Sequence, residues 1–116
     1  MNISIFTKNV PLKRELKEFV HRLIYEDFYT FKDRISNVKV IIEDVNGPNR
    51  GGVDKECRIK LKLIPRGLLI VHQQARTIAE ALDLASARLW FRLSKKIELK
   101  KIKKTLGVDY DLVETD

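Results

Sequence analysis

A strict alternation of apolar and charged residues before Pro65 is the feature that most limits what this chain can fold into. The odd-numbered positions include the apolar residues Val53, Cys57, Ile59, Leu61 and Leu63. The even-numbered positions include the charged residues Glu56, Arg58, Lys60 and Lys62. Successive side chains of a β-strand point to opposite faces, so the segment predicts a strand with one buried and one charged face. A strand of this kind belongs to a sheet that is covered on one side only.

Three further strands are predicted at residues 2–7, 38–43 and 68–73, where apolar residues alternate with polar ones or run together. A glycine-rich loop at 46–52 separates the second strand from the third, and a tight turn at 65–67 leads into the fourth. Connections of this length favour antiparallel pairing among the last three strands.

Two helices are predicted from apolar residues that recur at helical spacing. The first begins near Pro11, which suits a first helical position, and buries a stripe made of Leu12, Leu16, Phe19, Val20 and Leu23. The aromatic segment 25–31 is expected to close this helix against the core. The second helix runs from about Thr77 to about Lys103, and its buried stripe consists of Ile78, Leu82, Ala85, Leu89, Leu93 and Ile97. Thr77 and Glu80 resemble a capping box at its start.

The order strand, helix, three strands, helix predicts an α+β two-layer sandwich. We expect a four-stranded sheet with both helices packed on one face, as in double-stranded-RNA-binding domains. The first strand, helix and second strand should form a right-handed parallel crossover. Residues 1–104 are predicted to be one domain, and residues 105–116 an acidic, flexible tail.

The bulk properties are those of an ordinary cytoplasmic domain. No apolar run approaches the ~20 residues of a membrane span, and the first residues lack the pattern of a secretory signal. The single cysteine, Cys57, excludes an intrachain disulfide and suits a reducing compartment. The expected partners therefore include no membrane.

The net charge of the chain is concentrated between Arg88 and Lys104. This stretch contains eight basic residues and one acid, Glu98, so its net charge equals the +7 of the whole chain. Concentrated positive charge raises the local density of a polyanion, which makes nucleic acid the first partner to consider. The alternative is a solvated helix face, in which lysines near the C-terminus are favoured by the helix dipole.

Helical periodicity divides these cations into two groups. Arg88, Arg92 and Lys95 share one stripe, whereas Lys96, Lys100 and Lys103 follow the core direction beyond the apolar stripe. We therefore expect the helix to project past its sheet as a charged rod, with all six residues as candidate RNA contacts. Trp90 and Phe91 lie off the buried stripe. One interpretation is that they stack on a base or dock a partner, and the alternative is that the aromatic segment 25–31 covers them.

A second, weaker candidate surface for RNA consists of Arg50 in the glycine-rich loop and of Lys39, Arg58, Lys60 and Lys62 on the outer sheet face. Its alternative is an ordinary exposed sheet face. No aromatic residue interleaves with these cations on their strands, so base stacking of the kind seen in RNA recognition motifs is not expected.

The sequence shows no cluster of residues suited to catalysis or to metal binding. His21, His72 and Cys57 are isolated from one another, and Cys57 occupies an inward strand position. The loop at 46–52 lacks the Gly-Lys-Ser/Thr ending of a phosphate-binding loop, and no pair of carboxylates is placed for acid–base work. We expect no enzyme activity, no cofactor, no metal and no small-molecule substrate.

With these elements in place, the chain resembles the ribosome hibernation promoting factor family, which includes the ribosome-associated inhibitor of translation. The resemblance covers about residues 1–104. It is carried by the order of the elements and by the segments 16–20, 33–35, 51–59 and 78–83, the last of which leads into the basic helix.

The resemblance implies a factor that binds the small ribosomal subunit in stationary or stressed bacteria. Members occupy the channel used by messenger and transfer RNA, which silences translation and in some cases promotes ribosome dimers. Basic residues of the second helix contact ribosomal RNA in the family, and those positions are occupied here by Arg88, Arg92, Lys95, Lys96 and Lys100.

Three residues depart from the family pattern. Ala79 stands where an aromatic residue is usual, and Glu26 and Asp27 stand where the first helix is often basic. These departures mark a divergent short form. They leave a second hypothesis open, namely a protein-interaction module of the same fold that binds an acidic protein instead of the ribosome.

Overall fold

The computed structural model describes residues 1–46, 54–105 and 113–115, and the side chains of residues 1–46 and 54–98. In chain order the elements are β1 (Asn2–Lys8), α1 (Arg14–Phe28), a 3-10 helix (Tyr29–Arg34), β2 (Ile35–Asp44), β3 (Lys55–Leu63), β4 (Leu68–Ala75), α2 (Ile78–Thr105) and β5 (Val113–Thr115). No helix in these described ranges is long and apolar enough to cross a bilayer.

The strands form one mixed sheet in the order β1-β2-β3-β4-β5. β1 and β2 are parallel, as expected for a crossover through α1, and β2, β3 and β4 pair antiparallel. The four predicted strands and the two-layer α+β architecture are confirmed. The predicted strand count omits β5, which pairs in parallel with Leu68–Ile70 and arises from the segment interpreted as the tail. Three residues without alternation carry too little pattern to indicate a strand.

The core lies between one face of the sheet and the two helices. The alternation that predicted β3 is confirmed, because Cys57, Ile59, Leu61 and Leu63 are buried and Arg58 and Lys62 are exposed. From α1 the core takes Val20, Ile24 and Phe28, and from α2 it takes Ala81, Leu82, Ala85, Leu89 and Leu93. Among the described residues, no helix lies on the opposite face of the sheet.

The first helix starts later than the sequence pattern indicates. α1 begins at Arg14, because the backbone is still extended at Lys13, so Pro11 lies in the connection and Leu12 is exposed. Asn9 reverses the chain before it with a positive φ of 59°, a conformation that asparagine tolerates well. The apolar stripe therefore begins at Leu16, one turn later than predicted.

The second helix begins where predicted. The Thr77 hydroxyl accepts a hydrogen bond from the backbone N–H of Glu80 at 3.1 Å, which is one half of the expected capping box. Of the predicted stripe, Leu82, Ala85, Leu89 and Leu93 are fully buried, and Ile78 and Ile97 pack partly buried against the core.

Candidate nucleic-acid interface

The predicted stripe on α2 consists of Arg88, Arg92 and Lys95, which we refer to as the basic flank, and its first residue contacts β4. Arg88 and Lys95 are exposed and Arg92 is half-buried. The Arg88 guanidinium donates to the backbone carbonyl of His72 at 2.9 Å and to the Gln73 side-chain oxygen at 3.1 Å. These bonds hold the first cation of the flank against β4, so its position is fixed before any ligand arrives.

Lys95 of the basic flank forms a cation–aromatic pair with Phe91, one helical turn before it on α2. The Lys95 ammonium lies 4.6 Å from the ring centroid of Phe91, which is 56% exposed. Such pairs at exposed sites contribute about 0.5–1 kcal/mol. Phe91 is therefore not covered by the segment 25–31, contrary to one of the two readings of this residue.

Trp90, in contrast, contacts the aromatic segment 25–31. Its ring lies 6.1 Å from the ring of Phe31 at an interplanar angle of 56°, a tilted arrangement that aromatic pairs favour. The aromatic segment thus packs beside α2 through Phe31 and enters the core through Phe28, whereas Tyr25 and Tyr29 remain about half exposed.

The expectation that Lys96 projects into solvent is wrong. Only 5% of its surface is exposed. Lys96 follows Leu89 by seven residues and Leu93 by three, so it continues the buried stripe of α2. Lys96 is therefore not available to RNA in this structure. Lys100 and Lys103 belong to α2, but their side chains lie outside the described residues, as does the whole of Arg50.

The other candidate cations lie together on the uncovered face of the sheet. Strand register places Lys39 opposite Lys60, and Arg58 between Ile41 and His72. Lys62 stands beside Asn37 in the next row. These residues point away from the helices as predicted, and we refer to Lys39, Arg58, Lys60 and Lys62 as the outer basic face.

The outer basic face also holds an aromatic residue that the sequence analysis missed. Phe6 is 52% exposed and pairs in register with Ile41, and the Lys39 ammonium lies 4.8 Å from its ring centroid. The strands that carry these cations, β2 and β3, contain no aromatic residue, as predicted, but the neighbouring strand β1 brings Phe6 beside Lys39. The signal was present in β1, where Phe6 shares the outward parity of Asn2 and Ser4.

One end of this face is neutralised by Glu56. Its carboxylate lies 2.8 Å from His72 Nε2, 3.3 Å from the Arg58 guanidinium and 3.3 Å from the Gln74 amide that donates to it. Partial burial opposes ionisation, but the hydrogen bonds from Gln74 and His72 outweigh it, and the pKa of Glu56 is lowered. The cluster pairs Arg58 internally and leaves the lysines as the unneutralised part of the face.

A second ion cluster anchors the start of β3. Lys55 Nζ lies 2.8 Å from Asp54 Oδ1 and 3.2 Å from Asp44 Oδ2, and both carboxylates are almost fully buried. The hydrogen bond to Asp54 raises the pKa of Lys55, with Asp44 adding to it. This cluster joins β2 to β3 at the beginning of their pairing, so its role is structural.

Asp27, one of the departures from the family pattern, also has a structural role. The hydroxyl of Ser86, which is fully buried in α2, donates a 2.6 Å hydrogen bond to Asp27 Oδ2 in α1. The acid therefore ties the two helices together. Sequence spacing alone gave no sign of this bond, because its partners are 59 residues apart.

The candidate residues for other chemistry remain apart. Within residues 1–46 and 54–98, no group of three or more His, Cys, Asp or Glu side chains is placed to hold a metal ion. Burial, aided by the charge of Glu56, raises the pKa of the Cys57 thiol to about 12, which leaves it protonated and unreactive at neutral pH. His21 is exposed on α1, and His72 is bound to Glu56.

With the geometry established, comparison with known proteins decides the family. The sequence model of the family described as sigma 54 modulation protein / S30EA ribosomal protein matches residues 3–103. The chain belongs to this family. The resemblance drawn from the sequence is thereby confirmed, and the S30EA family is one of ribosome-associated factors.

Two solved structures show the same fold as this S30EA family member. A ribosomal subunit interface protein from Coxiella burnetii has 19% identity and a TM-score of 0.70, over 84% of this chain and 99% of that one. The N-terminal domain of Thermus thermophilus Protein Y has 19% identity and a TM-score of 0.68, over 82% and 98%. No curated protein has a significant match to the chain.

Proposed function

We propose that this S30EA family member binds the RNA of the small ribosomal subunit in the messenger and transfer RNA channel, and silences translation under stress or in stationary phase. Residues 1–104 would be the ribosome-binding unit, working in the cytoplasm without catalysis, and the acidic segment 105–116 adds β5 to its sheet. The observation that carries the proposal is the basic flank, which places three cations on one side of a single helix. Membership of the S30EA family makes ribosomal RNA the expected ligand of these cations.

The physical argument concerns position as well as charge. Side chains one helical turn apart lie about 5–6 Å from one another, so the basic flank can contact neighbouring phosphates together. The bonds from Arg88 to β4 fix the first cation of the flank beside the sheet, which reduces the side-chain entropy lost on binding. Occlusion of a channel requires only binding.

The test is co-sedimentation with small ribosomal subunits at two salt concentrations. If Arg88, Arg92, Lys95, Lys100 and Lys103 contact phosphates, the logarithm of the affinity should fall with the logarithm of salt at a slope of about −4. Replacing the basic flank by three glutamines should abolish pelleting at physiological salt. Unchanged pelleting of this triple variant would refute the proposed interface.

A matched control removes three cations from another element. Lys13, Lys17 and Arg22 are exposed on or next to α1, and their replacement by glutamine lowers the net charge by the same amount. This variant should retain most of its ribosome binding. Equal losses in the two triple variants would mean that binding follows net charge and not the basic flank.

The second candidate function is binding of an acidic protein, and exposed apolar side chains on α2 favour it. Leu84 is 42% exposed and Phe91 is 56% exposed, one above the other on the solvent side of the helix. A pull-down that recovers a protein partner without ribosomal RNA, and that fails with Phe91→Ala, would support this function over the first.

A further inference from the structure

The uncovered face of the sheet has an unusual charge distribution for a surface that only meets water. Lys39 and Lys60 stand directly opposite each other on β2 and β3, and Lys62 follows Lys60 on the same face. Among the described residues, neither Lys60 nor Lys62 has a carboxylate within ion-pair distance. Like charges directly opposite on neighbouring strands destabilise a sheet, so the fold gains nothing from this arrangement.

Apolar side chains lie between these lysines and provide flat contact area. The row next to Lys39 and Lys60 begins with Phe6 and Ile41, and Ile70 stands beside Lys60 on β4. Phe6 is half exposed, with the Lys39 ammonium over its ring, and Ile41 and Ile70 are partly exposed. The face therefore alternates cations with an aromatic ring and branched apolar groups at strand spacing, about 4.8 Å from one strand to the next.

We infer that the outer basic face is a second RNA-binding surface that takes unpaired nucleotides, with Phe6 as the stacking residue and Lys39, Lys60 and Lys62 on the phosphates. The inference deepens the proposed function and rests on it for the choice of RNA as ligand. The helix layer separates this surface from the solvent side of α2, so one molecule can contact two RNA segments at once.

The chemistry of the face favours a single strand over the other polyanions. Proteins that bind unpaired nucleic acid combine a positive surface with aromatic rings on which bases stack, and both are present here. An RNA duplex offers no exposed base faces to Phe6. A protein partner is disfavoured because lysine is depleted from protein–protein interfaces, whereas three lysines lie at the centre of this face.

The test uses the purified full chain and fluorescence anisotropy with a labelled 12-nucleotide single-stranded RNA and a blunt duplex of the same length. Phe6→Leu keeps an apolar side chain on an exposed strand position and removes the ring. It should weaken single-strand binding about 5-fold or more, the scale of one lost stacking contact, and leave duplex binding unchanged. The combined variant Lys39→Gln, Lys60→Gln, Lys62→Gln should lower the salt slope for the single strand by about 2.

The controls distinguish binding by the outer basic face from a general effect of net charge and from binding by the basic flank. The variant with glutamine at Lys13, Lys17 and Arg22 loses the same charge on another element and should keep the single-strand affinity and salt slope of the unaltered chain. Single-strand affinity that is unchanged in Phe6→Leu, or lowered equally in both triple variants, would overturn the inference. So would displacement of the RNA by polyglutamate at equal charge, which would identify the face as a site for acidic protein.

Unchanged ribosome binding in the basic-flank variant, together with weakened single-strand binding in Phe6→Leu, would refute the proposed interface on α2 and still support the outer basic face. Failure of the proposed function at the ribosome is therefore distinguishable from failure of the outer basic face. Thermal unfolding followed by circular dichroism verifies that each variant is folded before its affinity is read.

Discussion

The hydrogen bond between Ser86 and Asp27 supports a sharp test of how the two helices are held. Asp27→Ala removes the acceptor and leaves the Ser86 hydroxyl buried in α2 with its bond broken. Ser86→Ala removes the donor and leaves Asp27, which is exposed, able to bind water. The two substitutions should therefore differ in their effect on the free energy of unfolding, although they delete the same bond.

The magnitude follows from the geometry. At 2.6 Å the bond has the length of a charge-assisted O–H···O contact, and hydrogen bonds to charged groups contribute about 1.5–3 kcal/mol. Because Asp27 is exposed, we expect Asp27→Ala to lower the free energy of unfolding by about 2 kcal/mol, and the melting temperature by about 8 °C. Ser86→Ala should cost about 1 kcal/mol, since no unpaired group remains in the core.

The assay is a double-mutant cycle with unfolding in urea. Unfolding is followed by circular dichroism and by the fluorescence of Trp90, which lies one helical turn after Ser86 on α2. The double variant should be more stable than the sum of the single effects predicts, by about 1 kcal/mol. Glu26→Ala is the matched control, because Glu26 is the neighbouring exposed acid, and it should change stability by less than about 0.5 kcal/mol.

The refuting result is additivity. If the two single effects sum to the double effect within about 0.3–0.5 kcal/mol, the bond does not join the helices in solution. The acid at position 27 would then need another explanation, such as a changed RNA target. If Asp27→Ala and Glu26→Ala lower the free energy of unfolding equally, the loss comes from the change in the charge of α1 and not from the contact with Ser86.

Three further predictions concern single residues. Thr77→Ala removes the cap of α2 and should lower the free energy of unfolding by about 1 kcal/mol, measured in urea, whereas Thr77→Ser should leave it nearly unchanged. Cys57 should resist a thiol reagent at pH 8 until the chain is unfolded; rapid labelling of the native protein would contradict its burial. The lowered pKa of Glu56 stabilises the fold above the unfolded value of about 4.3, and this stabilisation is lost as pH falls through the folded value. Glu56→Gln should therefore reduce stability at pH 7 but not at pH 3, and a constant difference across that range would refute the linkage.

The sheet could be predicted from sequence because strand alternation leaves little choice. A shift of one residue in β3 would expose Cys57, Ile59 and Leu61 and bury their charged neighbours, so parity alone fixes which face is inward. The start of α1 could not be predicted in the same way. Pro11 is compatible with a first helical turn, but the reversal at Asn9 and the extended backbone at Lys13 are properties of the connection from β1.

The site was less predictable because its contacts join distant parts of the chain. Arg88 binds β4 through His72 and Gln73, and Ser86 binds Asp27, so none of these bonds leaves a local pattern. Lys96 is a different case. Its position over the core direction was visible from periodicity, but where the sheet ends beneath α2 depends on strand length and crossing angle, which the spacing of apolar residues does not determine.

The placement of charge changes how the concentrated +7 segment should be interpreted. Within it, Lys96 is buried and Arg88 is bonded to β4, so part of the local charge serves the fold. The outer basic face collects Lys39 and Lys60 from strands that no charge run marks. Because electrostatic attraction acts through space, cations from two strands can form as dense a positive surface as one lysine-rich helix. A polyanion approaching this protein therefore meets two positive surfaces. The sequence marks the one on α2 by a run of charge and indicates the other only through the parity of its strands.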